Sequence, residues 1–186
     1  MNVQKPFVCA LMALVLAACS APGKTRSEQK QYIDHMHRDV LSSLYKLKPD
    51  AKTDIPNAAG YAVFSNANVY LFLVSAGNGF GVAVDNRTGK KTYMKMAEAG
   101  IGLGAGAKDY RLVFVFHTAE KFNKFVENGW SFGGQGDAAA KADEKGGAVG
   151  GQVLLNDITV YQLTETGLAL QATITGTRYW QDSHLN

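Results

Sequence analysis

Few side chains in this chain of 186 residues have the types and spacing to do chemistry. Gly102, Gly104 and Ala107, inside the run AGIGLGAGA, fit the loose G-x-G-x-x-A pattern that cradles a phosphate. Such a loop needs a helix opening at its third small residue, and here the β-branched and aromatic run YRLVFVFH follows instead. His35 and His37 stand two apart, so they leave a helix on different sides and make a poor metal pair; they and His117 and His184 read as solvated. Asp137, Asp143 and Glu144 read as a solvated charge run rather than a cation site. Ser131, in GWSFGG, has no identifiable base, and no G-x-S-x-G elbow occurs. No catalytic set, metal site or cofactor is expected, and the chain is read as non-enzymatic.

Cys19 differs from all of these. Met1 to Lys5 is a short basic region, and Pro6 to Ala18 is an apolar run too short to span a bilayer, followed by small residues. This is the pattern of an export signal. Its end, Leu16-Ala17-Ala18-Cys19, resembles the lipobox of bacterial lipoproteins, which implies cleavage before Cys19 and a diacylglycerol carried on its sulfur. Ser20, rather than aspartate, after the cysteine resembles the sorting pattern for the outer membrane, so the expected location is that membrane, facing the periplasm. Cys9 falls in the removed segment, leaving no thiol for a disulfide, metal or redox site. The expected organisation is residues 1–18 as signal, 19–26 as lipidated tether and 27–186 as one domain, a length suited to a single core. The formal charge of +3 is too mild to make nucleic acid the default partner, but it permits local basic patches against anionic lipid.

The elements that must position any contact follow from periodicity. Ile33, Met36, Val40, Leu44 and Leu47 recur at helical spacing, with Ser27 the expected cap and Glu28 at the positive end. Gly100, Gly102, Gly104 and Gly106 alternate with apolar residues, and Gly77, Gly79, Gly81 and Ala83 do the same. A strand puts each set on one face. Such faces let a neighbour approach closely; the favoured neighbour is the protein's own helix or sheet, the alternative a lipid or partner surface. Strands are expected at Gly60–Ser65, Gly79–Asp85, Lys90–Ala97, Ala99–Ala107, Tyr110–His117, Asp157–Leu163 and Leu168–Thr175, with a hairpin turn at Asn86–Gly89 and a pairing across Lys108-Asp109. TAEKFNKFVENG predicts a further helix capped by Thr118 and stopped by Gly129. The fold class is α+β: a mainly antiparallel, glycine-rich twisted sheet or partial barrel with an N-terminal amphipathic helix and one further helix.

IPNAAGYAVF, SAGNGFGVAV, AGIGLGAGAKDYRLVFVF, ENGWSFGGQGDAAA and ITVYQLTETGLALQATITGTRYW, in that order, resemble the SYLF-domain family from about Ile55 to Trp180. The resemblance places Gly77, Gly79 and Gly81 on the family's first glycine block, Gly100, Gly102, Gly104 and Asp109 on its second, and Gly133 and Gly134 on its third. It implies a phospholipid-binding domain, and bacterial members are commonly exported lipoproteins. The expected partner is therefore a phospholipid membrane carrying anionic lipid. The candidate contacts are Lys24, Arg26, Lys30 and Arg38 along the helix and Arg87, Lys90, Lys91 and Lys95 around the hairpin, with Lys91, Tyr93 and Lys95 on one strand face. Trp130 and Phe132 are expected in the core. The alternative is an envelope structural or protein-interaction module, tethered by lipid but indifferent to it.

Overall fold

The computed structural model describes residues 21–131, 148–149, 152–155, 157–164, 167–168 and 176–186. In chain order these form α1 (Arg26–Leu47), α2 (Ala51–Asn57), β1 (Gly60–Asp85), β2 (Lys91–Phe116), α3 (Ala119–Asn128), β3 (Trp130–Ser131), β4 (Ala148–Val149), β5 (Gln152–Leu155), β6 (Ile158–Thr164), β7 (Gly167–Leu168) and β8 (Thr177–Gln181). The expected signal, Cys19 and the run from Gly136 to Gly147 lie outside the described residues.

α1 is capped by Thr25 rather than by Ser27. The Thr25 hydroxyl accepts the Glu28 N–H at 3.2 Å and the Glu28 carboxylate accepts the Thr25 N–H at 3.2 Å, a reciprocal pairing that satisfies two otherwise orphaned donors. Glu28 also accepts the Lys24 N–H at 2.7 Å, and Ala21 is only 4% exposed. The segment expected as a polar tether is therefore fixed to the body at Ala21, while Pro22 to Arg26 remain exposed. α2 was not expected. It ends one residue after Pro56, whose ring nitrogen cannot donate to a helix.

β1 and β2 are each 26 residues long and pair antiparallel along their length. The break expected at Lys108-Asp109 does not exist: these residues pair with Asn68 and Ala67 and the ladder runs through them, so Ala99–Ala107 and residues 110–116 belong to one strand and do not pair with each other, and His117 lies just past its end. The glycines that suggested separate short strands instead accompany a folding of the whole hairpin onto itself. A Cβ on Gly81 would strike the Val63 carbonyl and the Phe64 ring, and one on Gly79 would strike the Ser65 carbonyl and Met96. The two ends of β1 thus meet backbone to backbone. The turn is fastened where they meet: the Asn86 side-chain amide donates to the carbonyls of Ile55 at 2.6 Å and Ala58 at 2.9 Å. Gly77 is half-buried opposite Glu98. Gly100, Gly102, Gly104 and Gly106 continue β2, with Gly100 opposite Ser75 and Gly106 opposite Tyr70.

A register irregularity lies between Phe72 and Val74, where β2 has one residue more than β1, and the inward positions of β1 are even-numbered before it and odd-numbered after it. Ala62 and Phe64 before it, and Gly79, Gly81 and Ala83 after it, accordingly all face one interior with Met94, Met96, Leu112, Phe114 and Phe116. Across that interior Glu98 accepts from the Asn66 amide at 3.0 Å and from the Tyr110 hydroxyl, joining the two halves of the folded hairpin. β6 and β8 extend β2 along its other edge, opposite residues 111–116 and 94–98. β5 and β7 pair with β6, β4 with β5, and β3 with β8, every pairing antiparallel. α3 closes the interior with Phe122 and Phe125, its ends set as expected by the Thr118 hydroxyl and by Gly129 at φ +68°. Trp130 packs on Phe114 and Phe125 at 6.2 Å, whereas Phe132 lies outside the described residues. On the outer face α1 buries Ile33, Met36, Val40, Leu41 and Leu44 against Val63, Val82, Val84, Val113 and Val115. The class is α+β, as expected, and among the described residues apolar side chains pack on both faces of the sheet. Of the strand expected at Leu168–Thr175, only Leu168 lies within the described residues.

Gly81→Ala should destabilise the protein, because the new methyl group meets a strand carbonyl that has no rotamer to escape into. The expected cost is about 1–3 kcal/mol, and each kcal/mol should lower the melting temperature by roughly 2–4 °C. A melting temperature within about a degree of the parent would show that the strand ends have room to part.

Candidate functional site

The eight basic residues singled out in the sequence fall into three groups that overlap at Lys91, which belongs to the first and the second. Lys30, Lys90 and Lys91 come together around a cavity of about 490 Å³ where α1, the hairpin turn, α3 and the C-terminal residues converge. The turn is built by Asp85, whose carboxylate accepts the N–H groups of Arg87 at 2.8 Å and Thr88 at 3.0 Å, while Gly89 takes φ +71°. The backbone hydrogen bond from Thr88, more than that from Arg87, holds the Asp85 carboxyl below its ordinary range. Arg87 and Lys90 leave this turn exposed to solvent, and among the described residues neither forms an ion pair. Lys30 holds its ammonium 5.1 Å from the centre of the Tyr93 ring, whose negative face attracts it.

The second group is engaged within the protein. Lys91 pairs with Asp34 of α1 at 3.0 Å, and Lys95 pairs with the buried Asp182 at 3.4 Å. These two share a strand face with Tyr93, as expected, but their charge is largely answered by a carboxylate. The third group, Lys24, Arg26 and Arg38, is exposed along α1 and its approach, and none of the three lines that cavity. Sequence reasoning missed the partner carboxylates, which lie 57 and 87 positions from the lysines they answer. It also missed Tyr32, 46% exposed on α1 and edge-on to Phe80 at 5.6 Å.

His37 is not solvated. It is 9% exposed, stacks on Tyr61 and shares a hydrogen bond with the Tyr61 hydroxyl at 3.0 Å. Burial, with a smaller push from the Lys91 charge, pulls its pKa from 6.5 down to about 4, and burial pushes the Tyr61 phenol up to about 12. The pair is thus neutral at physiological pH. His35 is exposed and pairs with Asp39 at 2.7 Å, and His117 meets the Thr159 hydroxyl at 2.8 Å. Among the described residues no helix is long and apolar enough to cross a membrane, which leaves crossing by strands unaddressed.

No family model matches the chain. The chain is similar to a protein named Beta cell expansion factor A from Aeromonas veronii, 37% identical over 169 residues. That similarity covers 87% of this chain and 60% of the relative, so the chain spans well under two thirds of the relative's length.

The neutral His37 makes stability depend on pH. Its folded pKa lies below the unfolded value, so its contribution is fully present above pH 6.5 and is lost as pH falls towards about 4. The full loss is about 3 kcal/mol. Urea denaturation at pH 7 and pH 5 should show the parent weakening by about 2 kcal/mol more than His37→Phe, whose ring keeps the stack on Tyr61 without a proton to gain. Equal pH dependence in the two proteins would show that the ring reaches water on protonation.

Proposed function

We propose that this chain is a SYLF-type lipoprotein, held in the outer membrane by acyl chains on Cys19, whose folded domain contacts anionic phospholipid without catalysing a reaction. The observation that carries the reading is the convergence of Lys30, Lys90 and Lys91 from two elements around one cavity, with Arg87 beside them on the turn. Basic groups near an anionic surface contribute about 1 kcal/mol each, and acyl chains about 0.8 kcal/mol per buried methylene. The chains supply residence, and the basic rim sets which side of the domain meets the headgroups. Because Lys91 and Lys95 already have carboxylate partners, Lys90, Arg87 and Lys30 are the leading headgroup contacts. Lys24 and Arg26, beside the packed start of the chain, contribute from the anchor side. The similarity to Beta cell expansion factor A is compatible with this reading and says nothing of lipid by its name.

The purified full chain bearing Cys19→Ser should co-sediment with vesicles containing phosphatidylglycerol, and the bound fraction should fall as salt rises towards about 0.5 M. Lys90→Glu should weaken that binding several-fold, whereas Lys95→Gln should chiefly lower stability. Binding that ignores both salt and Lys90→Glu would favour a lipid-tethered protein-interaction module instead.

In cells, Cys19→Ser should abolish acyl labelling and release the protein from the membrane fraction. Labelling that persists would remove the lipoprotein assignment. Membrane association that persists without labelling would make the basic rim and helix sufficient for attachment.

A further inference from the structure

A second cleft, of about 570 Å³, lies between the C-terminal half of α1, the Asp109–Arg111 stretch of β2 and the end of β6. Its floor is apolar: Val40 and Leu163 are 6% and 5% exposed, and Leu47 stands at the lip with 47% of its surface in water. The rim carries both signs of charge, Lys46 from α1 and Asp109 and Arg111 from β2. Asp109 and Arg111 are two residues apart on one strand and so project on the same side. Although they share one opening, none of these three enters an ion pair among the described residues; the Arg111 guanidinium donates only to the Tyr110 carbonyl, at 3.2 Å. The fourth rim charge, Asp39, is held by His35.

We propose that this cleft binds a single-chain zwitterionic amphiphile bearing a phosphate and an ammonium group. The chain lies over Val40, Leu47 and Leu163, where it removes the apolar lip from water. The phosphate meets Lys46 and the Arg111 guanidinium, whose planar donors suit a phosphate, and the ammonium meets Asp109. A ligand with one sign of charge would satisfy half of the rim and meet the other half as repulsion, so the rim selects for a ligand carrying both. The volume falls within the range of about 300–1,000 Å³ typical of small-molecule sites. This cleft is separate from the basic rim, and the proposal does not depend on vesicle binding there.

The test is calorimetric titration of the purified full chain with 1-lauroyl-lysophosphatidylethanolamine and with 1-lauroyl-lysophosphatidylglycerol, both below their micelle concentrations. The ethanolamine lipid should bind about ten-fold more tightly, as one charge-assisted contact predicts. Asp109→Asn should erase that preference, and Leu47→Asp should weaken both lipids by about ten-fold while leaving the melting temperature unchanged, since Leu47 is exposed. Lys90→Glu should alter neither affinity. Equal affinity for the two lipids in the parent, or affinities that ignore both Leu47→Asp and Asp109→Asn, would overturn the assignment. Loss of binding in Lys90→Glu alone would move the ligand to the basic rim.

Discussion

The self-contact of β1 is the constraint from which the rest of the molecule follows. Backbones in neighbouring layers ordinarily stand apart by the height of their side chains, about 10 Å between sheets. Here Gly79 and Gly81 remove that spacing, so Ser65 and Val63 carbonyls occupy the place of side chains. The close approach brings Glu98 within reach of Asn66 and Tyr110, sets the hairpin turn against Ile55 and Ala58, and leaves one end of the interior for α3 to fill. The cavity lined by Lys30, Lys90 and Lys91 is a consequence of the same fold-back, because it needs the turn carried round to α1.

Covering both faces of the sheet has an electrostatic cost that the molecule meets locally. α1 brings Asp34 over the face that carries Lys91, and the C-terminal residues bring Asp182 beneath Lys95. His37, forced between α1 and Tyr61, stays neutral and forms a polar seam in an otherwise apolar contact. The unpaired basic groups left for an outside partner are therefore fewer than the eight singled out in the sequence, and they lie at the turn and along α1 and its approach.

Much of the local structure was legible because its signals are local. Thr118 and Gly129 bracket α3 as their types require, and the turn at Asn86–Gly89 follows from Asp85 and Gly89. Ser27 is the expected cap of α1, but the reciprocal pairing of Thr25 with Glu28 starts the helix two residues earlier. The long strands read as short ones because glycine weakens a strand locally whether or not the chain turns there. Pro56 hides α2, and local patterning cannot show the carboxylates that pair with Lys91 and Lys95 because they are distant in sequence. The sequence favours the protein's own helix or sheet as the neighbour of the glycine faces; at Gly79 and Gly81 the neighbour is instead the other end of the same strand, which no periodicity encodes.

The burial of Ala21 bears on how far the domain can travel. With Ala21 held in the outer core and Lys24 fastened to Glu28, an anchor at Cys19 would be joined to the body by a leash of two or so residues, roughly 7 Å when extended. Such a leash gives no reach across a compartment and little freedom to swing. Under the proposed anchoring, the domain would search for its contacts by sliding in the plane of its own bilayer, at a local concentration fixed by that short leash. Lengthening it would dilute the domain rather than extend its repertoire.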